Sequence, residues 1–376
     1  MRLSIPRALL AKAVGLVARA LPSKSIKPIL DGILIRATDK LSLFATDLEI
    51  GCRAETFVLE VEEPGEPGEA ILPGEQIVKL LSETDDERVR IEANEKDVRV
   101  VTDSADFHLP ASNPADFPLW PDFPTEKRHE IAADELATLI RHAIFAAAKK
   151  GGAVGAFAFT GVGWSCGEGK LELAAMDRYR CAVDERPCAA FNGHRPEKIP
   201  VVPRKAMDLL ALMVSNAEKD DVASVSFRPN DALFRCGGFS VYTRLIAGCF
   251  IEVARQLPKG KHDEAVINAA ALAKALKQAR LTTGAEWDNR VVFSFAKNRL
   301  TLESQGKGRS KIELACGWTS KDMKVAIPPE RVSDFLAILD EGAEIRMQIF
   351  SPDAPILCRV GETHRFLVSP LAMTKS

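Results

Sequence analysis

Leu41-Ser-Leu-Phe-Ala-Thr-Asp47 alternates in the manner of a half-buried strand and stops at an aspartate. The pattern returns 130 residues later as Leu171-Glu-Leu-Ala-Ala-Met-Asp177, and 129 residues after that as Leu300-Thr-Leu-Glu-Ser-Gln-Gly306. The first two copies run on toward an acid, as Leu48-Glu-Ile-Gly-Cys-Arg-Ala-Glu55 and Arg178-Tyr-Arg-Cys-Ala-Val-Asp-Glu185. A recurrence this long is no solenoid repeat. It reads as three tandem copies of one domain.

Two helical markers keep the same period. Leu72-Pro-Gly-Glu, Val202-Pro-Arg-Lys and Ile327-Pro-Pro-Glu each open an amphipathic pattern: Ile77, Leu80, Leu81; then Met207, Leu210, Val214; then Val332, Phe335, Leu336, Leu339. Each proline is expected in a first helical turn, where a missing N–H costs nothing. An earlier helix in each copy puts Leu10, Val14, Val17 and Leu21, then Leu136, Ile140, Ala143 and Ala147, then Leu272, Leu276 and Ala279 on one face. A strand pair is expected after each second helix, over 89–109, 225–245 and 345–368. The fold class is therefore α+β, with domains at 1–124, 125–258 and 259–376. Connectors at 111–124, with four prolines, and at 247–261 fit those edges.

The chain has 376 residues, 46% hydrophobic and 27% charged, which excludes a disordered or fibrous protein. Lys+Arg is 50 and Asp+Glu 52, so a broadly basic nucleic-acid protein is excluded too. The charge is nevertheless uneven. The three first-helix segments (5–21, 131–150, 267–280) carry +7 together, and the second-helix segments (72–83, 202–219, 327–342) carry −3. A shared positive surface on the first helices is expected. No uncharged apolar stretch reaches a membrane span. Residues 1–21 look like a leader, but Lys12 and Arg19 interrupt the apolar run and no small-residue cleavage site follows. A cytoplasmic protein with no membrane partner is expected. The eight cysteines contain no C-x-x-C pair and sit mostly in apolar runs, which points to buried free thiols rather than a zinc site.

Signals for catalysis are sparse. There is no Walker A motif, no G-x-G-x-x-G after a strand, and no histidine pair at ligand spacing. Gly163-Trp-Ser-Cys-Gly167 matches a nucleophile elbow, but an elbow must lead into a helix and this segment leads into a strand. It is expected to be a glycine-rich hairpin turn. A hydrolase built on Ser165 stands as the alternative from another class. Asp47 and Asp177 are expected to shape a recurring turn, a role that suits aspartate. No catalytic residue, metal or cofactor is assigned.

These residues carry a resemblance. Lys27-Pro-Ile-Leu-Asp-Gly-Ile-Leu-Ile and the Leu41 strand resemble the first domain of the bacterial beta sliding clamps, the processivity subunits of DNA polymerase III. Pro114-Ala-Asp-Phe-Pro resembles their first linker. Asp177-Arg-Tyr-Arg-Cys-Ala-Val, Val201-Val-Pro-Arg-Lys and Leu257-Pro-Lys resemble the second domain, and Val368-Ser-Pro-Leu the closing strand. The match is collinear over essentially the whole chain.

The resemblance implies a DNA-clamp fold in which two chains close head to tail as a homodimer, with inner helices toward duplex DNA. It implies a replicative polymerase and a clamp loader as partners, and a non-catalytic accessory role. The alternative within the family is a diverged paralogue serving a repair partner. DNA-facing positions carried over are Lys24, Lys149, Lys150, Arg204 and Lys205. The partner-peptide pocket maps to Met176, Arg178, Tyr179, Arg180, Cys181, Ile251, Arg255, Val368, Ser369, Pro370 and Leu371. Arg178 replaces the family's usual glycine and Ser369 its frequent methionine, which implies an altered peptide preference. The edge residues Phe107 and Leu109 are expected at the dimer interface, opposite a region made polar here by Thr282 and Thr283.

Overall fold

The computed structural model describes residues 1–38, 40–56, 66–94, 97–123, 126–149, 157–167, 169–248, 250–284 and 289–372. Its described helices are α1 (Arg7–Val17), α2 (Gly74–Glu83), α3 (Ala133–Ile144), α4 (Arg204–Ser215), the short α5 (Val253–Gln256), α6 (Ala269–Arg280) and α7 (Pro329–Ala337). The first and second helices of the three repeats are α1 and α2, α3 and α4, and α6 and α7. The chain separates into two compact units that cut across the repeats. One holds Met1–Ala137, Ala189–Pro196 and Lys205–Leu245, and the other Thr138–Cys188, Glu197–Arg204 and Ile246–Ser376.

The first unit contains a nine-stranded sheet in the order Ala189–Phe191, Arg128–Ala132, Val222–Phe227, Asp231–Cys236, Phe239–Arg244, Ile50–Thr56, Leu41–Thr46, Gly32–Ala37, Gly68–Pro73. A second, four-stranded sheet runs Arg2–Pro6, Arg88–Ala93, Asp97–Val101, Asp106–Pro110. Helix α1 buries Leu10, Val14 and Val17, and α2 buries Ile77, Leu80 and Leu81. His129 is also buried in this unit, 1% exposed, with Nδ1 unpartnered and its ring 4.9 Å from that of His194.

The second unit repeats the plan. An eight-stranded sheet runs Val201–Pro203, Gly161–Gly167, Lys170–Met176, Arg180–Pro187, His364–Val368, Ile356–Val360, Glu344–Ile349, Asp263–Asn268. A four-stranded sheet runs Arg309–Ala315, Arg299–Gln305, Val291–Ala296, Met323–Ile327. Helix α6 lays down a narrow stripe of Ala269, Leu272, Ala275, Leu276 and Ala279, and α7 buries Val332, Phe335 and Leu336.

Each long sheet crosses a repeat boundary through one kind of seam. In the first unit Phe239–Arg244, the last strand of the central repeat, pairs with Ile50–Thr56, with Tyr242 opposite Gly51. In the second unit His364–Val368, the last strand of the third repeat, pairs with Arg180–Pro187, with Phe366 opposite Ala182. Ile50–Thr56 and Arg180–Pro187 are the strands that follow the aspartate turn. By this rule one strand of each kind is left over, and Asp106–Pro110 and Arg309–Ala315 are both sheet edges.

The aspartate turn forms as read from the sequence. Asp47 Oδ1 accepts from the backbone N–H of Glu49 and Ile50 at 2.9 and 2.8 Å. Asp177 Oδ1 accepts from those of Tyr179 and Arg180 at 2.8 and 3.0 Å. The third copy lacks the acid and turns one residue tighter, with Gln305 opposite Arg309.

Four expectations need correction. The segments after the second helices are three-stranded meanders rather than pairs, because polar turns such as Thr102–Ala105 divide each span again. Pro73 and Pro203 precede their helices, and Pro329 alone sits in a first turn. Leu21, Ala147 and Leu339 fall beyond the helix ends. Gly163–Gly167 belongs to a strand rather than a turn, with Ser165 opposite Glu172. Its glycine has a packing reason: a Cβ on Gly163 would stand 2.4 Å from the Phe250 ring. The seven described cysteines are free thiols, and burial pushes Cys358 and Cys181 up to about 12. Cys249 and the first domain edge at 124/125 lie outside the described residues.

Candidate functional site

The cationic positions fall into two groups. Lys24 and Lys149 are exposed, and Lys150 lies outside the described residues. Lys12, Arg19, Lys274, Lys277 and Arg280, on and just after α1 and on α6, are also exposed, and none forms an ion pair among the described residues. The sequence reading counted these five charges without assigning them. Arg204 and Lys205, by contrast, are engaged. Arg204 Nη1 donates to the carbonyls of Ile144 and Ala147 at 3.0 and 3.4 Å, so it caps the C-terminal end of α3. Lys205 Nζ lies 2.6 Å from Asp47 Oδ2.

Asp177 repeats the double task of Asp47. Its Oδ2 takes Arg180 Nε at 3.1 Å while Oδ1 holds the turn. Arg180 points into the protein. Its Nη1 meets Asp334 Oδ2 at 2.8 Å and its Nη2 donates to the Phe145 carbonyl at 3.2 Å. This side chain is a pin between a strand and α7, not a groove wall.

The turn projects Tyr179 outward, 44% exposed. The Ser369 N–H donates to the Tyr179 carbonyl at 2.8 Å, and the Leu371 N–H to that of Ala326 at 2.7 Å, which lays the tail 369–371 beside the turn. Arg331 of α7 closes the arrangement. Its Nη1 donates to the Ser369 carbonyl at 2.6 Å and its guanidinium stacks 4.0 Å over the Tyr179 ring. Burial lowers the Arg331 pKa from the ordinary arginine value. The sequence reading missed this residue, since its signal was one basic position in an acidic helix.

Behind the turn lies an apolar cluster of Ala174, Cys181, Val183, Phe250, Val253, Leu257 and Leu357, with Met176 packed half-buried against it. Cys181 and Val368 therefore sit beneath the surface, while Ile251 is 41% exposed. Arg178 is exposed, Pro370 half-buried, and Arg255 pairs with Glu252 at 2.5 Å. Of the mapped pocket residues, Tyr179 and Ser369 are hydrogen-bonded to each other, and Arg331 is tied to both.

At the leftover edges, Phe107 is 37% exposed and Leu109 half-buried. The Thr282 hydroxyl is turned inward onto Ser304 Oγ at 2.6 Å, and Thr283 is 7% exposed and bonded to the Arg280 carbonyl. Leu281, 77% exposed, is what this corner presents, so it is more apolar than the two threonines implied.

No helix among the described residues is long and apolar enough to cross a membrane. Three successive profiles of the DNA polymerase III beta subunit match the chain: the N-terminal domain over residues 1–121, the central domain over 130–252 and the C-terminal domain over 254–374. The chain is 24% identical to the beta sliding clamp of Bacillus subtilis over 373 residues, covering 96% of each. It is 23% identical to that of Staphylococcus epidermidis over 350 residues, covering 91% of this chain and 90% of the relative. A solved sliding clamp from Pseudomonas aeruginosa shares the fold with a TM-score of 0.90 at 20% identity, over 99% of this chain and 100% of that one.

Proposed function

The chain belongs to the DNA polymerase III beta subunit family of sliding clamps, and on that footing we propose that two copies close head to tail around duplex DNA, are opened by a clamp loader, and hold the replicative polymerase through the Tyr179–Arg331 groove. The carrying observation is the pair of leftover edges. An unpaired strand that exposes an aromatic residue invites a second chain, and a head-to-tail contact closes when its rotation permits.

The internal seams supply the register. Phe366 corresponds to Phe107, and Ala182 corresponds to Ser310 once the tighter third turn is counted. Repeating the seam sets Phe107 opposite Ser310 of the partner subunit. Asp106 then faces Lys311 of the partner subunit, and His108 faces Arg309 of the partner subunit. Acid thus meets base at Asp106, while His108 meets a second basic side chain.

The exposed cations of the first helices, with Lys24 and Lys149, support the DNA contact. Phosphate contacts of this kind carry no sequence information and permit sliding. Lys205 reaches DNA only by sharing or leaving Asp47. We read the chain as cytoplasmic and as performing no reaction of its own, with Ser165 held mid-strand and repeat edges at 124/125 and 258/259. No observation favours a repair paralogue over the replicative clamp.

The test is primer extension on circular DNA with loader and polymerase, with wild type and with Phe107→Asp. Wild type should scatter light as a dimer and lengthen the products, and the variant should do neither. A wild type that is monomeric at micromolar concentration would refute the closed ring.

A further inference from the structure

The two oxygens of Asp47 have separate tasks. Oδ1 takes the backbone N–H groups of Glu49 and Ile50 and shapes the turn. Oδ2 meets Lys205 Nζ at 2.6 Å. In the equivalent turn Asp177 spends Oδ2 on Arg180, three residues on. Asp47 instead holds a lysine 158 positions away, in the first turn of α4. Lys205 Nζ also lies 3.5 Å from the Leu21 carbonyl, three residues before the exposed Lys24, and Arg19 on the same stretch is exposed. The bridge therefore stands beside cations already read as facing DNA. Its lysine is half exposed and its carboxylate mostly covered. A phosphate can approach the ammonium from the wet side, while the carboxylate stays fixed in its turn.

We propose that Asp47 is a stand-in phosphate for Lys205, a positioning residue that keeps the ammonium at the DNA-facing surface and weakens the grip it has on DNA. This rests on the DNA reading above. Lys205 gives up one anion when it takes another, so the contact gains only the difference between two similar ion pairs. An exposed pair is itself weak, and the handover is accordingly cheap. Between one phosphate and the next the ammonium returns to Asp47 instead of standing unpaired. Such a contact suits a ring that must stay on DNA and still move along it.

The experiment is fluorescence anisotropy of a short labelled duplex titrated with the full chain over a salt series. Four proteins are compared: wild type, Asp47→Asn, Lys205→Met and the double variant. Asparagine keeps the Oδ1 acceptor, so the turn and the melting temperature should hold. Asp47→Asn should bind about two- to fivefold tighter, the worth of one exposed ion pair. Its salt dependence should steepen by at most the ~0.9 of one phosphate contact. In the Lys205→Met background the same change should tighten binding by a factor at least about twofold smaller, since only the repulsion between Asp47 and DNA is then relieved. Equal factors in the two backgrounds would overturn the proposal, because Asp47 would act as a repelling charge and nothing more. Weaker binding by Asp47→Asn would also overturn it, making Asp47 a prop that Lys205 needs while on the phosphate. If Lys205→Met alters binding in neither background, Lys205 does not face DNA, and the reading of that position fails along with the proposal. A wild type that binds no duplex even at low salt is a different result again, and removes the DNA reading itself.

Discussion

Replacing Arg180 by alanine should destabilise the second unit more than any other single truncation at the groove. The guanidinium is 9% exposed and joins Asp177 Oδ2 at 3.1 Å, Asp334 Oδ2 at 2.8 Å and the Phe145 carbonyl at 3.2 Å. Breaking a buried ion pair from one side costs about 3–5 kcal/mol, because the remaining charge is left unpaired. Asp334 is 49% exposed and recovers water, so its share must be discounted. Asp177, at 25%, recovers less. The net expectation is about 2–3 kcal/mol. For a unit of this size each kcal/mol lowers the melting temperature by about 2–4 °C, so the variant should melt roughly 5–10 °C below wild type. Intrinsic tryptophan fluorescence suits the assay, since Trp164 and Trp318 are both fully buried in that unit. Asp334→Ala should cost about 1 kcal/mol or less. An Arg180→Ala protein that melts within a degree of wild type, or an Asp334→Ala protein that loses as much, would show that the pin is not what holds α7.

Three further outcomes follow from the packing. Burial lowers the His129 pKa from 6.5 to about 4, with His194 adding to the effect. The unfolded chain therefore binds the extra proton first, and stability present above about pH 6.5 is lost progressively toward pH 4, on the order of 2 kcal/mol by pH 5. Melting curves at pH 7 and 5 should differ less for His129→Gln than for wild type, and equal slopes would exclude His129 as the source. Gly163→Ala drives a methyl into the Phe250 ring at 2.4–2.8 Å and should cost about 1–3 kcal/mol by overpacking, whereas Ser165→Ala should leave the melting temperature and primer extension unchanged. Finally, Lys24→Glu should weaken DNA retention and flatten its salt dependence without a change in melting temperature, while Arg204→Glu should lower the melting temperature, because Arg204 caps α3. Equal melting temperatures for the two variants would contradict that division.

The repeat was legible because its markers are local. An alternating strand ending in aspartate needs only seven residues to be recognised, and Asp47 and Asp177 then made the turn that their chemistry favours. The helix faces were legible for the same reason. The seams were not, because pairing Phe366 with Ala182 depends on residues 184 positions apart and no local pattern encodes it. The groove was legible only in part. Sequence order placed Tyr179, Ser369 and Leu371 together through the family resemblance, but it could not tell an exposed arginine from a pinned one. Arg180 and Arg331 look alike on paper, yet one is paired closely with two aspartates and the other meets a neutral carbonyl and an aromatic ring. Thr282 and Thr283 misled for a related reason: a hydroxyl counts as polar in a sequence, but here both are consumed by neighbouring carbonyls and serines.

The seam rule has an arithmetic of its own. Every repeat offers one strand of each mating kind, and every internal junction consumes one of each. A chain of any number of repeats is therefore left with one free strand of each kind, at opposite ends. The covalent linkers play no part in that balance, because the ladder bonds of a seam are the same whether or not a peptide joins the two repeats. In the proposed ring, closure would be a property of how many repeats stand in the circle, not of how they are divided among polypeptides. Cutting this chain at a linker would not create a new kind of interface. It would turn an internal seam into an intermolecular one, with the same register and a concentration dependence that the intact chain escapes.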